Sequence, residues 1–339
     1  MRLFIFILIL AVGVLAGCGA EQPSSVEKTE QPITAVASSE EKKQEGTNQN
    51  HYPLEIKNGD RILTFTEAPK RVVTLNQHVT EVMLALGLEE YMVGTAYLDD
   101  EILPEYQEAY DKIPVLSDKY PSKEVFLSVE PDFAYAGWKS AFTEKNLGTV
   151  EDLEQLGINA YLHQSSSKVG PTIDDVYEDI RNIALIFNVE DRALKLIDKI
   201  KAELKKIQDQ VGPIEKPLKV FVYDSGEDKA FTVAKNYTSS LISLAGGENI
   251  FSEIDKNWAE VNWEEVVNRN PDVIVIVDYG EMTAEQKKNI LLKNTALASV
   301  PAIQNQRFVI LPLSAAAEGV RAAQALEILA KGFYPEKFN

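Results

Sequence analysis

Three kinds of residue are scarce in this chain. Of 339 residues one is cysteine and three are histidine, and 34 lysines and arginines face 52 aspartates and glutamates. A lone cysteine excludes a disulfide framework and a thiolate cluster. Of the histidines, His51 lies in a polar stretch, which leaves only His78 and His163 for a metal and no third imidazole. Each reads more readily as a loop histidine than as a ligand, so no metal site is assigned. The net charge of −18 excludes a nucleic-acid binder, whose partner demands basic patches, and electrostatic adhesion to anionic lipid. Beyond residue 17 no apolar run approaches the ~20 residues of a membrane-spanning helix. Catalytic signatures are missing too. There is no Gly-x-Ser-x-Gly, and Gly246-Gly247 is not followed by Gly-Lys-Ser/Thr.

What is present begins around that cysteine. After Arg2, Leu3 to Ala16 runs "LFIFILILAVGVLA", fourteen residues without a charge. This is the length of a secretory signal core. "LAGC" (Leu15 to Cys18) resembles the lipobox of bacterial lipoproteins, which implies that Cys18 carries a diacylglycerol thioether and becomes the mature N-terminus. Two acyl chains suffice for stable anchoring. Glu21 to Gln49 is rich in Glu, Gln, Ser, Thr and Lys and has too little apolar surface to repay ordering. It reads as a tether. The expected division is a signal peptide at 1–17 and a lipidated tether at 18–52. A first lobe at 53–170, a connecting helix at 171–212 and a second lobe at 213–339 follow.

The folded part alternates strand and helix. "LEIKNGDRILTF" (Leu54 to Phe65) reads as a hairpin around Asn58-Gly59. "RVVTL" and "MVGTA" read as buried strands flanking a helix from about Val79 to Leu86. Two distant segments share one pattern: "SKEVFLSVEPDFAYAG" (Ser122 to Gly137) and "NWEEVVNRNPDVIVIV" (Asn262 to Val277). In each, a cap residue and a glutamate open a short helix, Pro-Asp ends it, and an apolar run follows. Glu124 and Glu264 each stand seven residues before the proline. Two such units indicate two similar lobes. Between them Leu194, Ile197, Ile200, Leu204, Ile207 and Val211 recur at helical spacing, closed by Gly212-Pro213. The fold class is therefore α/β, with two lobes joined by a long helix and a cleft between them.

The chain resembles the substrate-binding lipoproteins of bacterial ABC importers, in the helical-backbone class that handles iron(III)-siderophores, cobalamin and haem. The resemblance covers nearly all of the folded part. It rests on "APKRVV", on Thr80-Glu81, on the paired glutamate and Pro-Asp units, and on "LAGGENIF", "WAEVNWEEV" and "QRFVIL". It implies a monomer, lipid-anchored outside the cytoplasmic membrane, that clamps a metal chelate and delivers it to a permease and its ATPase. It also implies that Glu124 and Glu264 dock on the transporter.

Ligands of open α/β sheets bind outside the carboxyl ends of the strands. That rule points to Asn76, His78, Tyr97, Tyr120, Trp138, Lys139, Tyr223 and Trp258, and to Arg321 by the resemblance, with His163 and Tyr279 on similar loops. Trp258 is equally placed to pack. Recurrent aromatics suit a large, flat, partly apolar chelate. An anionic tris-catecholate would want several cleft arginines, and only Arg321, Lys119, Lys139 and Lys235 are on offer. An iron(III)-hydroxamate or similar siderophore comes first and cobalamin second, with haem beside it. A bare-metal receptor or an extracellular hydrolase stands behind these. No cofactor and no enzymatic activity are expected.

Overall fold

The computed structural model describes residues 51–338. Cys18, the signal segment and the tether up to residue 50 lie outside the described residues. The described chain is engaged with the fold before the expected lobe boundary at residue 53. His51 Nε2 lies 2.7 Å from Leu185 O, and Tyr52 Oη donates to Ile186 O at 2.5 Å, so the chain is already docked two residues before the expected start.

β1 (Leu54–Asn58) and β2 (Arg61–Phe65) form the antiparallel hairpin. Its turn is Gly59-Asp60, one residue later than Asn58-Gly59, with Gly59 at φ 64. Asn58 stays in the ladder because its side chain is tied to Leu162. Nδ2 donates to the carbonyl at 2.7 Å, and Oδ1 accepts from the amide at 3.0 Å.

Each lobe is built on a parallel sheet. In the first lobe these are β3 (Val72–Leu75), β4 (Met92–Ala96), β5 (Val115–Ser117), β6 (Phe133–Ala136) and β7 (Asn159–Leu162), in the order β5-β4-β3-β6-β7. In the second lobe, β8 (Leu218–Tyr223) is followed by β9 (Ala230–Val233), β10 (Gly247–Asn249), β11 (Trp258–Val261), β12 (Val273–Asp278) and β13 (Phe308–Pro312). The order β10-β8-β12-β13 makes the sheet, while β9 and β11 form a separate antiparallel ribbon. β3 and β6 are buried along their whole length, as parallel strands covered by helices on both faces must be.

The duplicated unit is one device used twice. Helices Lys123–Ser128 and Trp263–Arg269 each lead through Pro-Asp into a strand of their sheet. Asp132 accepts from the amides of Lys70 and Arg71 at 2.8 and 2.9 Å, just before β3. Asp272 accepts from Lys219 N, in β8, at 2.9 Å. Ser122 caps its helix through its side chain, accepting from Val125 N at 3.3 Å. Asn262 holds the same position without such a bond.

The connector is two helices, Ile173–Ile186 and Glu190–Val211, where one was expected. They break at Asn188, which adopts φ 55. The second helix buries Ala193, Leu196, Ile197, Ile200, Leu204 and Val211, whereas Leu194 is 53% exposed. One residue turns a helix by about 100°, so Ala193 takes the inner face and Leu194 the outer. One large apolar cluster runs from the first sheet through these helices to the last helix, Ala322–Phe333. Among the described residues, no helix is long and apolar enough to cross a membrane.

Candidate functional site

The carboxyl ends of both sheets open on one cleft of about 270 Å³. The first lobe contributes Trp138, directly after the segment that extends β6, and Ser166. The second lobe contributes Asp224 after β8, Tyr279 after β12, Phe231 and Trp258 from the ribbon, and Glu318 from the turn before the last helix. Trp258 both packs and faces the cleft. Its ring stacks on Phe231 with centroids 5.5 Å apart and planes 7° from parallel.

Behind Trp138 lies a dry, polar floor. His78 is 2% exposed, with its ring 4.9 Å from Trp138 and 5.4 Å from His163. A Cβ on Gly137 would stand 2.2 Å from His78 Cε1, so only glycine lets the imidazole in. His163 Nδ1 is 2.6 Å from Tyr135 Oη, and its Nε2 is 3.3 Å from Asp179 Oδ2 but not aligned for a hydrogen bond. Burial pushes His163 down to about 3, only partly opposed by the Glu318 backbone. Burial, and then His163, holds His78 well below the usual histidine range. Both imidazoles are neutral.

The same dryness raises the carboxyls. Burial pushes Asp179 up to about 6 although it accepts from the amides of Gln164 and Ser165. Glu318 is pushed up to about 7 by burial, against the hydroxyl of Ser166, which donates to it at 3.1 Å. Among the described residues, no group of three His, Cys, Asp or Glu is arranged to hold a metal ion.

The other residues singled out by the sequence separate into three groups. Asn76 is fully buried at φ 90, and its Oδ1 accepts from Tyr120 Oη at 3.0 Å and from Trp138 N at 3.3 Å. It is a buttress for two cleft loops. Tyr97, at φ 62, meets Tyr120 edge to face at 4.6 Å and lies under the ammonium of Lys119. It is not among the side chains lining the cleft.

Three residues lie away from the cleft. Tyr223 is fully buried and donates to Gly226 O at 2.9 Å, because the strand's last side chain turns into the core and not toward the partner lobe. Lys139 is exposed beside a groove near Asn58 and Phe142. Arg321 is 5% exposed, and its guanidinium is taken by Glu81 and the carbonyl of Glu101. Lys235 pairs with Asp255 at 3.1 Å. Glu124 and Glu264 are exposed in the first turns of their helices.

Sequence reasoning missed Glu318, Ser166 and Phe231. The only signal for Glu318 was a single carboxylate in the small, apolar run "SAAAEGV".

Two lobes, two parallel sheets and a cleft at their strand ends are the architecture of a two-lobed binding protein. The sequence matches the periplasmic binding protein family over residues 72–315, and the chain belongs to that family. A periplasmic binding protein from Veillonella parvula has a solved structure that superposes with TM-score 0.77 at 32% identity, covering 83% of this chain and 97% of that one. YvrC of Bacillus subtilis strain 168, an uncharacterized ABC transporter substrate-binding lipoprotein, is 25% identical over 98% of this chain and 96% of its own. A vitamin B12-binding protein of Vibrio parahaemolyticus is 26% identical over 62% of this chain and 72% of its own.

Proposed function

We propose that this protein captures an iron(III) chelate of the hydroxamate type outside the cytoplasmic membrane and hands it to an ABC permease. The observation that carries this reading is the cleft itself, walled from one lobe by Trp138 and from the other by Trp258, Phe231 and Tyr279. Opposed aromatic faces suit a flat, partly apolar ligand gripped from two sides. A volume of about 270 Å³ lies just under the usual ~300–1,000 Å³ of a small-molecule site.

In this reading the lipid on Cys18 holds the receptor at the membrane, consistent with the lipoprotein name of the Bacillus relative. Glu124 and Glu264 meet the permease, and the receptor works as a monomer. The vitamin B12-binding relatives favour cobalamin as the second reading. Intrinsic tryptophan fluorescence and thermal shift on the full-length protein, with iron(III) trihydroxamates, cyanocobalamin, haemin and an iron(III) tris-catecholate, test it. Quenching and stabilisation by a hydroxamate are expected. Stabilisation by cyanocobalamin alone would replace the first reading with the second.

A further inference from the structure

The cleft is rich in acceptors and has no cation on its walls. Among the described residues that line it, Asp224 and Glu318 carry carboxyls, and none is lysine or arginine. The nearest cations are already engaged. Lys287 is 2% exposed, donates to Val277 O at 2.6 Å and lies 4.2 Å over the Tyr279 ring, where it also interacts with the charge of Asp224. Arg321 is saturated by Glu81 and the Glu101 carbonyl. Lys119 sits over Tyr97, and neither residue lines the cleft.

From these placements, and resting on the reading of the protein as a chelate receptor, we infer that the cleft selects chelates that are neutral or cationic. It directs an ammonium or amide N–H of the ligand toward Asp224 and Glu318. Glu318 is 8% exposed and Asp224 is 3% exposed, so both have given up most of their water. Ser166 supplies Glu318 with one donor, while Tyr279 and Ser225 supply Asp224 with two, at 2.8 and 2.9 Å. A desolvated carboxylate gains most from a charged donor and is hurt most by a second anion, and Glu318, pushed up to about 7 by burial, is ionised more fully when an ammonium lies beside it. The aromatic side chains of the lining add attraction of the same sign, although Tyr279 already carries Lys287 on one face. An anionic tris-catecholate, or haem with its two carboxylates, meets neither a cation nor a spare donor of comparable strength.

The test uses one iron(III) trihydroxamate in three forms, with its terminal amine free, acetylated or succinylated, against the full-length protein in detergent. Cyanocobalamin is run beside its monocarboxylate derivative, with haemin and an iron(III) tris-catecholate as the anionic extremes. The free-amine form is expected to bind at least about tenfold more tightly than the succinylated form, and cyanocobalamin more tightly than its acid. Asp224→Asn with Glu318→Gln should bring each ratio to within about twofold. Equal or tighter binding of the anionic forms overturns the inference while leaving chelate capture intact, and so does a ratio that survives the double substitution. No binding by any chelate overturns the receptor reading, and the inference with it.

Discussion

Arg321 holds both carboxylate oxygens of Glu81, a residue 240 positions earlier in the chain. Nε lies 2.8 Å from one oxygen and Nη2 lies 2.5 Å from the other. One partner belongs to the second lobe and the other to the first helix of the first lobe, and both are buried. Arg321 also borders a groove lined by Leu196, Ile200 and Glu203, so the pair sits against the connecting helix. It is a clasp on the hinge side of the cleft.

Breaking the clasp from either end strands a buried charge. Glu81→Gln or Arg321→Leu is expected to cost about 3–5 kcal/mol, while Glu81→Leu with Arg321→Met together should recover much of that loss. Urea unfolding of the four proteins measures it. Single variants within about 1 kcal/mol of the parent would show that the pair is open to solvent in solution.

The aromatic walls should matter for ligand and little for fold. Trp138 and Trp258 are both half-buried at the cleft, so Trp138→Ala and Trp258→Ala are each expected to weaken chelate binding about ten- to a hundredfold. Calorimetric titration reads the affinity, and melting without ligand reads the packing role. A large loss of melting temperature with unchanged affinity would return both residues to the core.

Most of the scaffold was legible because parallel strands and helices are local patterns. β3, β6 and β12 are rich in apolar residues, and the Pro-Asp unit could be recognised twice without knowing what Asp132 and Asp272 bond. The site was less legible, for a physical reason. A strand-end rule locates a loop but not the direction of its side chain, so Trp138 faces the cleft while Tyr223 turns inward to Gly226. Arg321 looked like a free cleft cation because nothing local marks its pairing with Glu81. The break at Asn188 was hidden too, since a single left-handed residue leaves the apolar periodicity on either side intact.

Stability should depend on pH through the buried carboxyls. Glu318 keeps its proton up to about 7 in the fold, against 4.5 without burial. The folded state therefore retains a proton that the unfolded chain releases. This group's contribution is full below about 4.5 and is lost as pH rises to about 7. Asp179 acts in the same direction between 3.8 and about 6. His163, held down to about 3 from 6.5, opposes them and loses stability as pH falls through that range. Glu318→Gln removes one component, so the variant should gain on the parent by on the order of 2 kcal/mol between pH 5 and pH 8. Urea unfolding at the two pH values decides it. A constant difference would show that Glu318 titrates like a solvated carboxyl.

Delivery should be separable from capture. Glu124 and Glu264 are exposed and lie outside the cleft lining, so Glu124→Ala with Glu264→Ala is expected to abolish uptake in cells while changing affinity less than about twofold. Normal uptake by the double variant, or poor binding in vitro, rejects the docking role.

Asp132, accepting from the amides just before β3, and Asp272, accepting from Lys219 N in β8, anchor the junction after each short helix to its own sheet. Glu124 and Glu264 therefore travel with the lobes as the two jaws of a caliper. In the docking role proposed above, a permease that grips both glutamates would meet a spacing set by the separation of the two lobes.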